Sequence, residues 1–417
     1  MKFQTNLLFI LLMSFVASGI SQDVSIHGYA RTYLGVLTNE PYDYSISQNT
    51  LDLKLEGSVG KGGFYANPYL YQYPNQVIDI GLREVYLDIF FDKLDLRLGK
   101  QQIIWGKGDG VFITDIVSPK DLSEFLLRDF DEIRMGVTSA KIDYYLGNNT
   151  LELVWIPTFT PTTMPDSTSL WARLPAFDIP IAIDESEKTI SGRLENSEGF
   201  IKFSGMSSLI DFELMAGIMW DDDPTLHITP IMELGNPQPA SLLLMPKHHQ
   251  LTLGGGSFST ELGRFVIRGE GAYYKGKSFA AENTLGMPLD LMEKDFIHYL
   301  VGTDFSIGSN LLSFQFIQRT IMDFDDSIVS DEFDNTMTFL FNRTFLSETL
   351  AFQFFGYLGL NNEDALLRPT LTYDIADGFE IITGANLFVR NDDTKTDGLF
   401  GYYDDNDMVF VKVKYSF

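Results

Sequence analysis

Cysteine is absent from all 417 residues, which excludes a disulfide scaffold, zinc fingers, iron–sulfur centres and thiol catalysis. Basic residues are few. Thirty Lys and Arg stand against 57 Asp and Glu, a net charge of −27, so no cationic surplus exists to neutralise phosphates and nucleic acid is not expected as a partner. Long apolar runs are missing after Gln22, where no stretch reaches the roughly 18 residues of a spanning helix. What the chain has in quantity is aromatic residues, 34 Phe, 19 Tyr and 4 Trp. The length would suit two or three soluble domains of about 150 residues, yet barrels take as much chain in one domain.

The first residues read as a targeting segment. Lys2 supplies a positive start, Leu7 to Val16 an apolar run and Ala17-Ser18-Gly19 a small-residue cleavage site, the pattern of a secretory signal. Cleavage after Gly19 or after Ser21 fits. The expected organisation is a signal peptide over 1–21 and one β-barrel over 22–417. Without cysteine, a lipid anchor is not available.

Alternation fills the rest. Leu51, Leu53 and Leu55 oppose Asp52, Lys54 and Glu56; Leu94, Leu96 and Leu98 oppose Asp95 and Arg97; Val409, Val411, Val413, Tyr415 and Phe417 oppose Lys412 and Lys414. Period two means half-buried strands. A soluble sandwich alternates in the same way, but its strands average about five or six residues, whereas crossing a bilayer at a tilt takes about 9–11. Connections also alternate. Short ones near 60, 92, 148, 207, 261, 309, 346 and 377 are interleaved with long ones near 37–48, 106–131, 159–190, 221–247, 276–293, 323–331 and 391–405. Aromatic pairs such as Phe64-Tyr65, Tyr69–Tyr73, Tyr144-Tyr145, Tyr273-Tyr274 and Tyr402-Tyr403 cluster at strand ends, and polar-tipped rings favour a membrane boundary.

The predicted fold is therefore all-β: a transmembrane antiparallel β-barrel of about 18 strands, with 16 as the alternative. A barrel of that size encloses water unless something plugs it. Its lipid-facing wall makes outer-membrane lipid an expected partner. Self-association stays open, since nothing in the sequence marks a surface for it.

The last strand, with apolar residues at every second place and Phe417 at its end, resembles the C-terminal signal of bacterial outer-membrane proteins. That resemblance implies the barrel assembly machinery as a partner and a Gram-negative-type outer membrane as the location. The stretch from Arg97 to Phe130 carries a second resemblance. Arg97, Gly99, Lys100, Gln101, Trp105, Gly106, Ser118, Pro119 and Asp121 match a block of porin-like outer-membrane families of poorly known function, some similar to the alginate-export porins. Lys100 stands where Arg is more usual, so the planar bidentate fork is missing there.

Physically the block is a strand that runs into an inward-folding loop. Gly106, Gly108 and Gly110 permit tight turns. Ser118-Pro119-x-Asp121 predicts a helix start, with Leu122, Phe125 and Leu126 on one apolar face. The loop is expected to narrow the lumen, and capping the outer rim is the other placement. The expected pore-lining and constriction residues are Arg31, Lys54, Arg97, Gln101, Trp105, Lys107, Asp109, Asp115, Lys120, Asp121, Arg264, Arg268, Arg319, Arg368 and Arg390. Charges on the lipid face would be costly, which puts them inside. The acid surplus then falls in loops, at Asp221–Asp223, Asp323–Asp334 and Asp392–Asp407.

Catalysis has little support. The five histidines have no adjacent nucleophile arrangement, and G-x-S-x-G and H-E-x-x-H are both missing. No cofactor or metal and no enzymatic activity are expected. The predicted function is passive diffusion of small hydrophilic solutes, either anionic or polyhydroxyl. A barrel that displays its loops as an adhesin or binding protein is the alternative.

Overall fold

The computed structural model describes residues 24–74, 77–173, 179–233, 239–283, 287–391 and 398–417. The signal segment and Asp392, Asp393 and Asp397 lie outside the described residues. In chain order the strands are β1 (Val24–Leu37), β2 (Tyr44–Val59), β3 (Gly62–Gln72), β4 (Ile78–Phe90), β5 (Leu94–Gln101), β6 (Val137–Leu146), β7 (Asn149–Ile156) and β8 (Ile181–Ile183). They continue as β9 (Glu198–Met206), β10 (Asp211–Trp220), β11 (Thr225–Met232), β12 (Pro239–Lys247), β13 (Gln250–Leu262), β14 (Phe265–Ala281) and β15 (Asp290–Ile307). The last six are β16 (Asn310–Ile321), β17 (Phe333–Phe345), β18 (Leu350–Gly359), β19 (Asp364–Ala376), β20 (Phe379–Arg390) and β21 (Met408–Ser416).

Eighteen of these form one antiparallel sheet, and β1 pairs with both β2 and β21, so the sheet closes into a barrel. Closure leaves no unpaired edge, which a bilayer would not tolerate. The seam extends to the last residue, where the Gly28 and Phe417 backbones exchange two hydrogen bonds of 3.0 Å. The short connections fall at one end, and positive-φ residues such as Gly147 (φ 66°) and Gly308 (φ 58°) make the tight turns there. The expected count of 18 and the expected alternation of short and long connections match this architecture.

Outward positions form an exposed apolar wall that includes Leu51, Leu98, Leu153, Ile201, Leu214, Val301, Phe314 and Val411. This is the belt of a transmembrane β-barrel of the outer-membrane type. The inward face departs from simple polar alternation. Val154, Ile156, Phe200, Met215, Met219, Leu251 and Leu253 point inward and are buried in one cluster with Ile103, Trp105, Ile116 and Val117 of the β5–β6 loop. These strands are apolar on both faces because both are covered, one by lipid and the other by the loop.

Two further corrections concern local structure. Tyr144 and Tyr273 face outward as boundary rings, but Tyr71 and Tyr274 are buried inside the barrel, and Tyr69 and Tyr71 sit on the inward face beside Arg83. Outside the barrel, β8, β11 and β12 form a small three-stranded sheet in the long loops, where the sequence suggested only loop.

Candidate pore constriction

The segment 102–136, between β5 and β6, lies inside the barrel in two parts. Residues 102–118 form a tongue that folds back on itself. The Ser118 hydroxyl accepts from the Ile103 N–H at 2.9 Å, and Asp115 accepts from the Trp105 N–H at 3.2 Å. Its anchors run round the wall. Trp105 is buried, donates its indole N–H to Glu152 on β7 at 2.6 Å and meets Phe200 edge-on. Glu270 on β14 accepts from the Lys107 N–H (2.9 Å) and the Thr114 hydroxyl (2.8 Å). On β16, the Gln315 side chain donates to the Asp109 carbonyl at 2.9 Å and accepts from its N–H at 3.1 Å.

Tyr357 on β18 donates to the Gly110 carbonyl at 2.7 Å. Gly110 (φ 75°) is the tip, and a Cβ there would stand 2.5 Å from the Phe355 ring. Ile113 completes the contact by burying against Leu300 and Ile317. The tongue thus spans the lumen from β5 to β18.

Residues 119–136 form an arc on the other side, held by charge and by Phe125 and Leu127, which are buried among Leu366, Phe388, Phe400 and Tyr403. Arg368 on β19 donates to the Leu126 and Leu127 carbonyls at 3.0 and 3.2 Å. Asp129 lies between Lys412 of β21 (2.8 Å) and Arg31 of β1 (2.9 Å). Glu132 receives Arg31 at 2.9 Å, the Tyr29 hydroxyl at 2.6 Å and Arg83 of β4 at 3.5 Å. Arg83 also pairs with Asp52 at 2.9 Å. Burial alone would raise both loop carboxyls, but Lys412 and Arg31 hold Asp129 down at about 2, and Arg31, Arg83 and Tyr29 lower Glu132. Glu124 goes the other way, because burial outweighs Arg128. Arg134 joins arc to tongue through Asp115 at 2.6 Å.

The helix lies in the arc, but not where Ser118 predicted. A single turn covers Phe130–Ile133, with Asp129 as N-cap. Ser118 is occupied by Ile103, and Lys120 and Asp121 form isolated bridges with Arg134 and Thr163, so the capping chemistry serves the loop's own pairing. The β7–β9 connection borders the arc. Leu122 N–H donates to the Thr163 carbonyl at 2.8 Å, and Trp171 packs on Phe388 and Tyr403.

The expected site residues separate into groups. Arg31, Arg268, Arg319, Arg368 and Arg390 lie on the inner wall, and all are engaged: Arg268 with Asp109 and Asp304, Arg319 with Asp334, Arg390 with Asp404. Arg97 is bidentate to Asp88 (2.7 and 3.0 Å) and 3.8 Å from the Tyr86 centroid. Lys107, Asp109, Asp115, Lys120 and Asp121 are on the loop, and Lys120 stands 5.0 Å over Phe112. Lys54 is half-buried on β2. Gln101, Trp105 and Asp115 are buried behind the loop instead of facing open lumen. Arg264 is exposed in the β13–β14 turn, at the mouth of the barrel. The sequence reading missed Arg83, Arg128, Asp129, Glu132 and Arg134. Arg83 stands where the β3–β4 register shifts, so parity fails there. Two adjacent charges, Arg83-Glu84, were the available signal.

In the outer loops, Asp221 pairs with Lys277 at 2.6 Å. Burial raises Asp222 well above the carboxylate range, and Lys120 offsets this only in part. His227 and His249 bring their Nε2 atoms within 2.9 Å of each other.

No family model matches the chain, and no curated protein matches it. Solved structures do. The chain is similar to Pseudomonas aeruginosa OccK2 (OpdF), solved in complex with glucuronate, at 10% identity and a TM-score of 0.56, covering 94% of this chain and 98% of that one. Pseudomonas aeruginosa OccK8 (OprE) gives 11% identity and 0.55, covering 95% and 98%. Acinetobacter baumannii OccAB1 gives 9% and 0.54, covering 96% and 98%. At such identities the likeness is one of fold: these barrels and this one share an architecture from end to end.

Proposed function

We propose that the protein is a porin-like channel of the outer membrane, passing small hydrophilic solutes by diffusion beside the 102–136 loop. One observation carries this reading. Asp129 and Phe130 lie within the barrel interior, yet the Asp129 side chain is 49% exposed and Phe130 46%. A plug packed on the wall at their level would cover them. In this reading water reaches the loop inside the barrel, and the loop narrows the lumen instead of filling it. The shared fold with outer-membrane channels supports the same reading.

In this proposal residues 1–21 direct export, Phe417 and its strand are read by the barrel assembly machinery, and the solutes are anionic or polyhydroxyl. The block from Arg97 to Asp121 keeps alginate-export-type cargo within that class. Self-association through the lipid-facing wall belongs to the same proposal. No catalytic step is assigned. Purified protein in a planar bilayer is expected to give stepwise ion conductance, and a silent bilayer would overturn the channel. The display reading has one observation in its favour: the outer-loop sheet of β8, β11 and β12 exposes Ile183, Ile231 and Met232. Binding to a surface with no conductance would support it.

A further inference from the structure

The inner wall over β2–β5 differs from the rest of the lumen. Along β3 the inward positions are Tyr65, Asn67, Tyr69, Tyr71 and, just beyond the strand, Tyr73. The two outermost rings are committed to the protein. Tyr71 is buried against Arg83 and 5.8 Å from Arg128 of the arc, and the Tyr73 hydroxyl accepts from Gln48 at 3.2 Å. The other rings are engaged through their faces, Tyr69 by Arg83 and Tyr71, and Tyr86 by Arg97 and Tyr65. Tyr65, Tyr69 and, on β4, Tyr86 are half-buried, and among the described residues their hydroxyls have no hydrogen-bond partner.

Tyr65 stacks on Tyr86 with centroids 5.1 Å apart and planes 21° apart, and Arg97 lies over Tyr86. These three planar groups stand side by side across β3, β4 and β5. Tyr65 begins the row, and among the described residues no other ring or cation is stacked on it. On the β2 side stand Glu56, directly paired with Tyr65 in the ladder, and Lys54 two residues away. Lys54 makes no ion pair among the described residues, and Glu56 is exposed.

From this wall we propose that Tyr65, Tyr86, Lys54 and Glu56 form a binding platform for neutral saccharides; the proposal rests on the channel reading and chooses the polyhydroxyl solute over the anionic one. A pyranose has an apolar C–H face that packs on an aromatic ring and an equatorial fringe of hydroxyls that each donate and accept. Tyr65 supplies the ring, the phenols and Lys54 supply donors, and Glu56 supplies an acceptor. An anion would want a free guanidinium fork. Among the described residues the wall offers none, since Arg97 is already bidentate to Asp88 and the other wall arginines bond carboxylates or carbonyls. A neutral polyhydroxyl solute needs no such fork.

The test uses the full-length protein in planar bilayers with maltotriose, a polyethylene glycol of equal hydrodynamic size and sodium glucuronate. Maltotriose is expected to interrupt the current at millimolar concentration. Tyr65→Ala should weaken that block about tenfold, a loss of about 1.4 kcal/mol, and Tyr65→Phe should keep most of it. Equal block by polyethylene glycol overturns the proposal in favour of size exclusion. Stronger block by glucuronate that Tyr65→Ala leaves unchanged overturns it in favour of an anion site. If the bilayer is silent, the channel reading falls and calorimetry decides the platform. Maltotriose heat that disappears in Tyr65→Ala, with the barrel's heat-modifiable migration intact, upholds the platform, and no heat with the wild-type protein overturns it.

Discussion

The tongue and the arc belong to one loop and dock inside one barrel, yet apolar packing and charge hold them in different proportions. The tongue, 102–118, buries Ile103, Trp105, Ile113, Ile116 and Val117 against apolar wall residues. Much of its polar anchoring runs through backbone groups. The arc, 119–136, also buries Phe125 and Leu127, but it adds a latch of Asp129 and Glu132 among Arg31, Arg83 and Lys412. The barrel wall differs to match: an apolar cluster runs from β6 to β16 with ion pairs such as Arg268–Asp304 beside it, and from β18 round to β4 aromatic rings stand beside the charges that receive the arc. A barrel interior is thus not one solvent. Each sector of wall carries the side chains that its piece of loop requires.

That contrast can be broken from either side. Glu132→Ala removes the carboxylate that Arg31 and Arg83 share, and unpairing buried charge costs about 3–5 kcal/mol. Hydrogen exchange should accelerate over 121–134 and stay slow over 103–118; equal acceleration would make the loop a single unit. Trp105→Ala should do the reverse, loosening the tongue by about 3–5 kcal/mol, the usual range for a buried Trp. High salt should separate the two variants. At 1 M the screening length is about 3 Å, but buried pairs are screened much less, so salt should loosen the arc only slightly, through half-exposed Asp129, and leave the tongue unchanged.

Acid gives a smaller, one-sided effect. Asp129 ionises at about 2 in the folded protein against 3.8 when free. A lowered pKa contributes stability above the unfolded value, lost as pH falls through the folded one. Arc protection, corrected for intrinsic exchange, should therefore hold from pH 7 to 5 and fall between about 4 and 2. Loss already at pH 6 would show that another group governs the latch. The smallest change is Tyr357→Phe. Deleting its hydroxyl leaves the Gly110 carbonyl unpaired and should loosen the tongue tip by about 0.5–1.5 kcal/mol, visible as faster exchange near 110 alone.

Much of the barrel was legible because its signal is local. Leu51 to Glu56 alternate, and a tight turn before Gly62 ends the strand. What escaped depends on partners distant in sequence. Val154 and Ile156 look like ordinary strand residues, and only the loop above them explains why both faces of β7 are apolar; the unbroken apolar character of residues 153–156 was the visible hint. Parity placed Arg31 and Arg268 inside but could not supply Asp129 or Asp109 as their partners. Tyr69–Tyr73 read as boundary rings because a tyrosine suits either surface. Their shared parity with Asn67, opposite Ala66, Pro68 and Leu70, points inward. Ser118-Pro119 carried a sound helix signal that lost to a competing partner, Ile103.

The contacts of the loop also order events in time. Lys107 meets Glu270, 163 residues away, Gly110 meets Tyr357 across 247, and Asp129 meets Lys412 across 283. The wall's hairpins, by contrast, join neighbours in sequence. Closing such long intervals is entropically expensive and slow, and the arc's berth between β21 and β1 does not exist until those two strands meet. Seating of Asp129 between Lys412 and Arg31 therefore requires a closed seam, which makes the occupied berth a molecular record that β21 has met β1.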